Sequence, residues 1–192
     1  MNFPKIYLAS KSPRRRELLA QIGVEFSVLS VDVDEGRLAD ETPIDYVQRV
    51  AIAKARSGWD SLDKENQLPV LGSDTSVVLG DTILGKPKND ADARNMLLQL
   101  SGREHEVMTA VAIVSTSEVR CELSTSTVHF TALTDADIEW YLSTKEGVDK
   151  AGGYAVQGLA AIFIEQIKGS YSGIMGLPVR ETAMMLKQLS GR

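Results

Sequence analysis

The 192-residue chain contains one cysteine and two histidines. Cys121 has no second thiol for an internal disulfide, and without clustered Cys or His it anchors no zinc or iron–sulfur site. Its expected place is that of a small apolar residue on a strand. No apolar run approaches the ~20 residues needed to cross a bilayer, and the amino terminus has no signal-peptide hydrophobic segment, so the reading is cytoplasmic, with no membrane partner. Aromatic residues make up only 6% of the chain, and the net charge is -5. Both values exclude a generic nucleic-acid binder, which shows a basic surface and, for single strands, an aromatic stacking platform. There is no internal repeat, low-complexity tract or long linker, so residues 1–192 read as one domain, with 43% hydrophobic residues to build its core.

What is present is an interleaving of strand and helix patterns. Lys5 to Ala9 reads as a buried strand, and Ser12-Pro13 as an N-cap followed by proline at the first helical position, opening a helix that Gly23 closes. Phe26 to Val31 suggests a second strand, leading into Asp32-Val33-Asp34-Glu35 and a polar loop. Thr42-Pro43 repeats the cap-plus-proline start, and Ile44, Val47, Val50, Ala51 and Ala55 form a helical stripe ending near Gly58. Asp60 to Gln67 reads as a loop. The next apolar segment runs from Val70 to Leu79, interrupted by Gly72-Ser73-Asp74-Thr75, and Gly80-Asp81 turns it into Ile83-Leu84.

Asn89 or Asp90 caps a helix that reaches Leu100 and stops at Gly102. Glu106 to Val114 and Val119 to Phe130 form two long strands joined by a short turn. Thr134 with Asp137 reads as a capping box, Ala151 to Gly158 as a glycine-rich passage into a strand over Ala161 to Ile167, and Pro178 to Leu189 as the last helix. The long central strands lie too close in sequence for a strictly parallel crossover pattern, so the expected fold is α/β, a mixed elongated sheet flanked by helices, with two lobes around a central cleft.

Three consecutive arginines, Arg14, Arg15 and Arg16, stand at a helix start, where the unpaired N–H groups already carry partial positive charge. Arg15 also lies on the apolar stripe with Leu18, Leu19 and Ile22, whereas Arg16 points to water. The dipole opposes each cation there by roughly 0.3–1 kcal/mol, and an arginine on an apolar stripe needs a partner. A phosphate held by the Ser10 and Ser12 hydroxyls, the helix N–H groups and a bidentate Arg15 would reverse both penalties. A polyphosphate calls for a divalent cation, and loop carboxylates select a hard ion such as Mg²⁺ or Mn²⁺, with Glu35 and Asp74 as its ligands. Asp74, at a strand end, is also placed to accept a proton from water. Lys54 and Lys86 are point charges for phosphate oxygens. His105 and His129 have no matching partners and read as structural.

The segments Leu8-Ala9-Ser10-Lys11-Ser12-Pro13-Arg14-Arg15, Val33-Asp34-Glu35, Gly72-Ser73-Asp74-Thr75, Gly85-Lys86-Pro87, Leu100-Ser101-Gly102, Lys150-Ala151-Gly152 and Gly176-Leu177-Pro178, in that order, resemble the Maf family of nucleoside triphosphate pyrophosphatases. The resemblance implies hydrolysis between the α- and β-phosphates, giving monophosphate and pyrophosphate with a divalent metal. Asp74 would be the proton acceptor, and Ser10, Arg15, Glu35, Lys54 and Lys86 would handle phosphate or metal. Arg14, Thr75 and Gln157 match the branch of the family acting on dTTP and UTP. The sister branch, acting on 7-methyl-GTP, carries Trp, Gln and Glu at those places. A glutamine offers the donor and acceptor that the N3–H and O4 edge of uracil or thymine requires. Ser73, where alanine is common, and Arg16, where other polar residues occur, depart from the family pattern without touching these roles. A nucleoside triphosphate is thus the expected partner, and a homodimer is compatible with the reading. Two alternatives stay open at this point: a 7-methyl-GTP or other purine nucleotide substrate, or a nucleotide-binding, division-related regulator with vestigial hydrolysis.

Overall fold

The computed structural model describes residues 3–63, 65 and 67–190. In chain order the elements are β1 (Ile6–Leu8), α1 (Pro13–Gln21), β2 (Phe26–Val28), α2 (Pro43–Asp60), β3 (Val70–Leu79), β4 (Thr82–Leu84), α3 (Asp90–Leu100), β5 (Glu104–Val114), β6 (Val119–Phe130), α4 (Asp135–Ser143), β7 (Ile164–Lys168), α5 (Tyr171–Met175) and α6 (Val179–Ser190). The second strand ends at Val28 rather than Val31, because Leu29 N–H to Leu8 O is the last bond that ties this stretch to β1. The expected strand over Ala161 to Ile167 begins only at Ile164, after a 3₁₀ turn over Leu159–Phe163. Helix α5 had no counterpart in the sequence pattern. Residues 64 and 66 of the expected Asp60–Gln67 loop lie outside the described residues.

Local chemistry sets the helix starts. The Thr42, Asn89 and Ser170 side chains accept the N–H groups of Asp45, Asp92 and Gly173, and Thr134 with Asp137 forms the full reciprocal capping box. Ser12 differs. Its backbone is extended as a cap requires, but its side chain accepts no helix N–H, and its own N–H donates to Ser10 Oγ at 3.2 Å. Proline at the first helical position leaves one fewer donor to satisfy, so α1 begins without a side-chain cap.

The strands form one mixed sheet in the order β2-β1-β3-β5-β6-β7. β1 pairs in parallel with β2 and with the start of β3, whereas the β3–β5, β5–β6 and β6–β7 ladders are antiparallel. Alternation along β3 and β5 sorts their side chains to two faces. On one face Val47, Ala51 and Ala55 of α2 pack on Val78, Met108, Ala110 and Ala112. On the other, Leu18 and Leu19 of α1 and Leu186 of α6 cover Leu71, Val111 and Ile113. Further along that second face, Leu97, Phe130, Ile138, Tyr141 and Phe163 gather on Val77 and Val107. Each such fully buried side chain is worth about 1.5–3 kcal/mol in area removed from water.

Two features of β3 prepare a site. Its edge opposite β5 pairs with β1 only at Val70 and Leu71 and with β4 only from Val77 to Leu79, so among the described residues no strand pairs with Gly72 to Ser76 on that side. Gly72 also lets α2 touch the strand directly: a Cβ there would meet Ala51 O at 2.5 Å and Ala55 N at 2.6 Å. Those atoms are backbone and cannot give way. Replacing Gly72 with Ala therefore lifts α2 off the sheet, and overpacking of this kind costs about 1–3 kcal/mol. Denaturant unfolding of Gly72→Ala is expected to show that loss; an unchanged midpoint would show that α2 is not held by this contact.

Candidate active site

On the α2 face of β3, Asp74 follows Gly72 by two residues and is 7% exposed. The α2 backbone seated on Gly72 brings Lys54 over it, so that Lys54 Nζ donates to Asp74 Oδ1 at 2.8 Å. The same ammonium lies 2.9 Å from Glu35 Oε1. Glu35 arrives from an irregular loop, at the apex of a turn in which Gly36 N–H donates to Asp34 Oδ1 at 2.8 Å. Two carboxylates thus converge on one cation. Partial burial would raise the Glu35 pKa, but the hydrogen bond and charge of Lys54, aided by Lys86 and Arg15, prevail and hold it below the ordinary value.

The opposite face of β3 carries Ser73 and Thr75. Arg15 reaches them from α1: Nε donates to Gly176 O at 2.8 Å, Nη1 to Ser10 Oγ at 3.2 Å and Nη2 to Thr75 Oγ1 at 3.3 Å. Ser73 Oγ bonds Ala110 O and the same Gly176 O, and Thr75 Oγ1 lies 2.9 Å from Thr109 Oγ1, which donates to Gly173 O. This polar chain sits between the two apolar clusters on that face. Burial pulls the Arg15 pKa down, against the opposing charge of Asp74, yet a guanidinium stays charged in either case. Its expected bidentate clamp is partly committed to the protein: three of five N–H groups are used, leaving two for a guest. Thr75, grouped by resemblance with the base-selecting positions, spends its hydroxyl on Arg15 and Thr109.

Asp74 to Val77, side chains from both faces of β3, line one cleft of about 730 Å³. Ser10, Ser12, Arg14, Arg15, Glu35, Lys54, Asp74, Thr75, Lys86 and Gln157 all line it. The cleft also takes in Lys11, Tyr46, Asp149, Lys150 and Tyr154, which sequence reasoning did not assign. Lys11 stood between two assigned serines and could have been found there; Tyr46, on a helical stripe, gave no separable signal. Arg14 faces the cleft near Asp149, whose carboxyl is held low first by Lys150 and, among smaller contributions, by Arg14.

The residues read as structural stay apart from this chemistry. His105 is buried, with Nε2 2.8 Å from Tyr154 Oη, and burial lowers its pKa to about 4. His129 pairs at 3.5 Å with the exposed Glu165. Cys121 packs partly buried on the α2 side of the sheet, its thiol pKa pushed up to about 11 by burial. Among the described residues there is no cluster of three or more His, Cys, Asp or Glu, and no helix is long and apolar enough to cross a membrane.

Arg14, Arg15, Lys54 and Lys86 share one cleft with Glu35 and Asp74, and comparison with known proteins places the chain in a family. The model for Maf-like proteins matches residues 5–189; the chain belongs to the Maf family. A protein of Pasteurella multocida named dTTP/UTP pyrophosphatase is 48% identical over 189 residues, covering 95% of this chain and 94% of that one. Proteins with the same name from Pseudoalteromonas atlantica and Cupriavidus pinatubonensis are each 51% identical, covering 96% and 95% of this chain and 97% and 96% of theirs. Among solved structures, the Staphylococcus aureus Ham1 protein aligns with a TM-score of 0.47 and 18% identity over 66% of this chain and 71% of that one, a likeness too slight to bear on fold or activity.

The lowered Glu35 pKa has a definite sign. The Lys54 contact stabilises the fold fully above the ordinary 4.5 and is lost as pH falls through the lower folded value. Carboxyl NMR titration is expected to place the Glu35 midpoint below 4.5 and to move it upward in Lys54→Met. A midpoint unaffected by Lys54→Met would dissociate the two side chains.

Proposed function

We propose that the protein hydrolyses dTTP and UTP to the monophosphate and pyrophosphate. The observation that carries this reading is the convergence of Asp74, Lys54, Glu35 and Arg15 on one strand edge inside a cleft large enough for a nucleotide. Relatives that carry this name align over nearly their whole length and support the same choice. In the reaction, water attacks the α-phosphorus, the α–β anhydride bond breaks, and pyrophosphate leaves with the bonding electrons. Asp74 takes the proton of the attacking water. Its Oδ1 is bound to Lys54, while Oδ2 accepts no hydrogen bond among the described residues and is open to that water.

Lys54, Lys86 and the two uncommitted Arg15 N–H groups neutralise phosphate oxygens, with Ser10 and Ser12 at the start of α1 and Arg14 beside them. Glu35 and Asp74 suit a hard divalent cation, Mg²⁺ or Mn²⁺. Their oxygens already share one positive charge, the Lys54 ammonium, and Mg²⁺ is commonly held by one or two carboxylates together with substrate phosphates. Such an ion supplies charge neutralisation on the triphosphate when bound. Gln157, exposed on the lining of the cleft, presents an amide with both donor and acceptor to a pyrimidine edge.

Asp74→Asn is expected to lower pyrophosphate release by a factor of about 10²–10⁴ while leaving dTTP binding nearly unchanged, as loss of a general base does. Near wild-type release would remove Asp74 from that role. A panel of nucleoside triphosphates with Mg²⁺ is expected to give monophosphate and pyrophosphate, fastest with dTTP and UTP. Diphosphate plus free phosphate would reject α–β cleavage, and a preference for 7-methyl-GTP would overturn the assignment of Gln157.

A further inference from the structure

Glu35, which shares the Lys54 ammonium with Asp74, is not on a regular element. Residues 29–42 form no helix or strand, and each residue from Glu35 to Asp40 is exposed, the Glu35 side chain to 47%. Burial therefore does not hold Glu35 in place. What ties this loop down is a set of bonds to α2, the helix that also carries Lys54. Tyr46 Oη donates to the Glu35 carbonyl at 3.0 Å. Arg49 Nη2 donates to the next carbonyl, that of Gly36, at 2.8 Å. The same guanidinium grips Glu41 with both arms, Nε to Oε1 at 2.6 Å and Nη2 to Oε2 at 3.0 Å. The Glu41 side chain is only 6% exposed. Arg49 lies over the Tyr46 ring, with Cζ 5.6 Å from its centroid, so the two anchors brace one another.

We propose that Arg49, with Tyr46, is a positioning residue for the reaction: it fastens the Glu35 turn to α2 and so sets Glu35 against Lys54 and Asp74. This rests on the role given to Glu35 above. Two consecutive peptide carbonyls, those of Glu35 and Gly36, are fixed from one helix. The direction of the Glu35 side chain is thereby tied to the position of Lys54, five residues beyond Arg49 on α2. The planar fork matters here, because one guanidinium spans two carboxylate oxygens and a carbonyl in a fixed geometry. A lysine ammonium, a compact point charge on a flexible stem, does not reproduce that span. Glu41 responds as a gripped carboxylate should: its hydrogen bond to Arg49 is the largest influence on its pKa and lowers it. Loops held by few bonds and little burial open locally without global unfolding, so loss of this latch frees Glu35 without disrupting the core.

The test compares Arg49→Lys and Arg49→Met with the parent chain, alone and combined with Glu35→Gln, by hydrogen–deuterium exchange and by pyrophosphate release from dTTP over a Mg²⁺ titration. Exchange of peptides covering residues 30–42 is expected to rise about tenfold in both variants, with β3 and β5 unchanged. The Mg²⁺ concentration for half-maximal rate is expected to rise about tenfold while KM for dTTP changes little, and in the Glu35→Gln background the Arg49 substitution is expected to add almost nothing. Unchanged loop exchange, or an Arg49 effect of the same size with and without Glu35, would overturn the proposal. Wild-type turnover by Glu35→Gln together with raised loop exchange would keep the latch and overturn instead the role of Glu35 in the reaction.

Discussion

A helix can lie with its backbone against a strand only where the strand has no side chain, and here the rest of the site depends on that contact. Gly72 admits the α2 backbone at Ala51 and Ala55. Two residues on, the pleat returns to the same face, so Asp74 meets Lys54, which stands on the same turn of the helix, between Ala51 and Ala55. A buried carboxylate without a partner would be costly, and an ammonium on a flexible stem is a mobile one. The close approach at Gly72 converts that mobile pairing into a fixed one. It also decides where Glu35 comes to rest, because Glu35 is fastened to the same helix and aimed at the same ammonium.

The other face of β3 solves a different problem. Arg15 is a cation placed where both the helix dipole and the apolar stripe disfavour it. Part of the compensation is internal: Gly176 O, Ser10 and Thr75 accept three of its N–H groups, and Thr109 and Ser73 extend the chain to Gly173 and Gly176. α5 is short, but it supplies the Gly173 carbonyl, with that of Gly176 just past its end, and both close this network. Gly176 has φ 117° and takes the left-handed cap that turns the chain toward α6. The arginine is therefore held in place by the protein itself, and the phosphate contact proposed for it would fall to the two N–H groups left over, an arrangement that needs no reorganisation during reaction.

Much of this was legible in the sequence because it is local. The Thr42, Asn89 and Thr134 caps, the glycine stops and the two long strands follow from propensities and turn chemistry acting over a few residues. The gathering of Ser10, Glu35, Lys54, Asp74, Lys86 and Gln157 in one cleft was legible from the order of motifs resembling a known family. What escaped notice is non-local. Nothing near Arg15 announces that a carbonyl 161 residues away accepts its Nε–H. Ser12 sits at a cap position but makes no cap bond. α5 has too few residues for a helical period to register. Arg49 and Glu41, eight residues apart across a helix start, look like ordinary surface charges until the loop between Leu29 and Thr42 is folded back onto α2.

The central claim is that the part of β3 that lines the cleft, from Asp74 to Ser76, is where a nucleoside triphosphate is cleaved. A crystal structure with Mg²⁺ and a dUTP analogue carrying an imido link between the α- and β-phosphates tests it most directly. The account predicts the α-phosphate one water away from Asp74, the outer phosphates between Lys86 and the Ser10–Arg15 segment, and the base beside Gln157. A triphosphate lodged away from that part of β3, with Asp74 and Lys54 paired to one another and touching no part of it, would contradict the account.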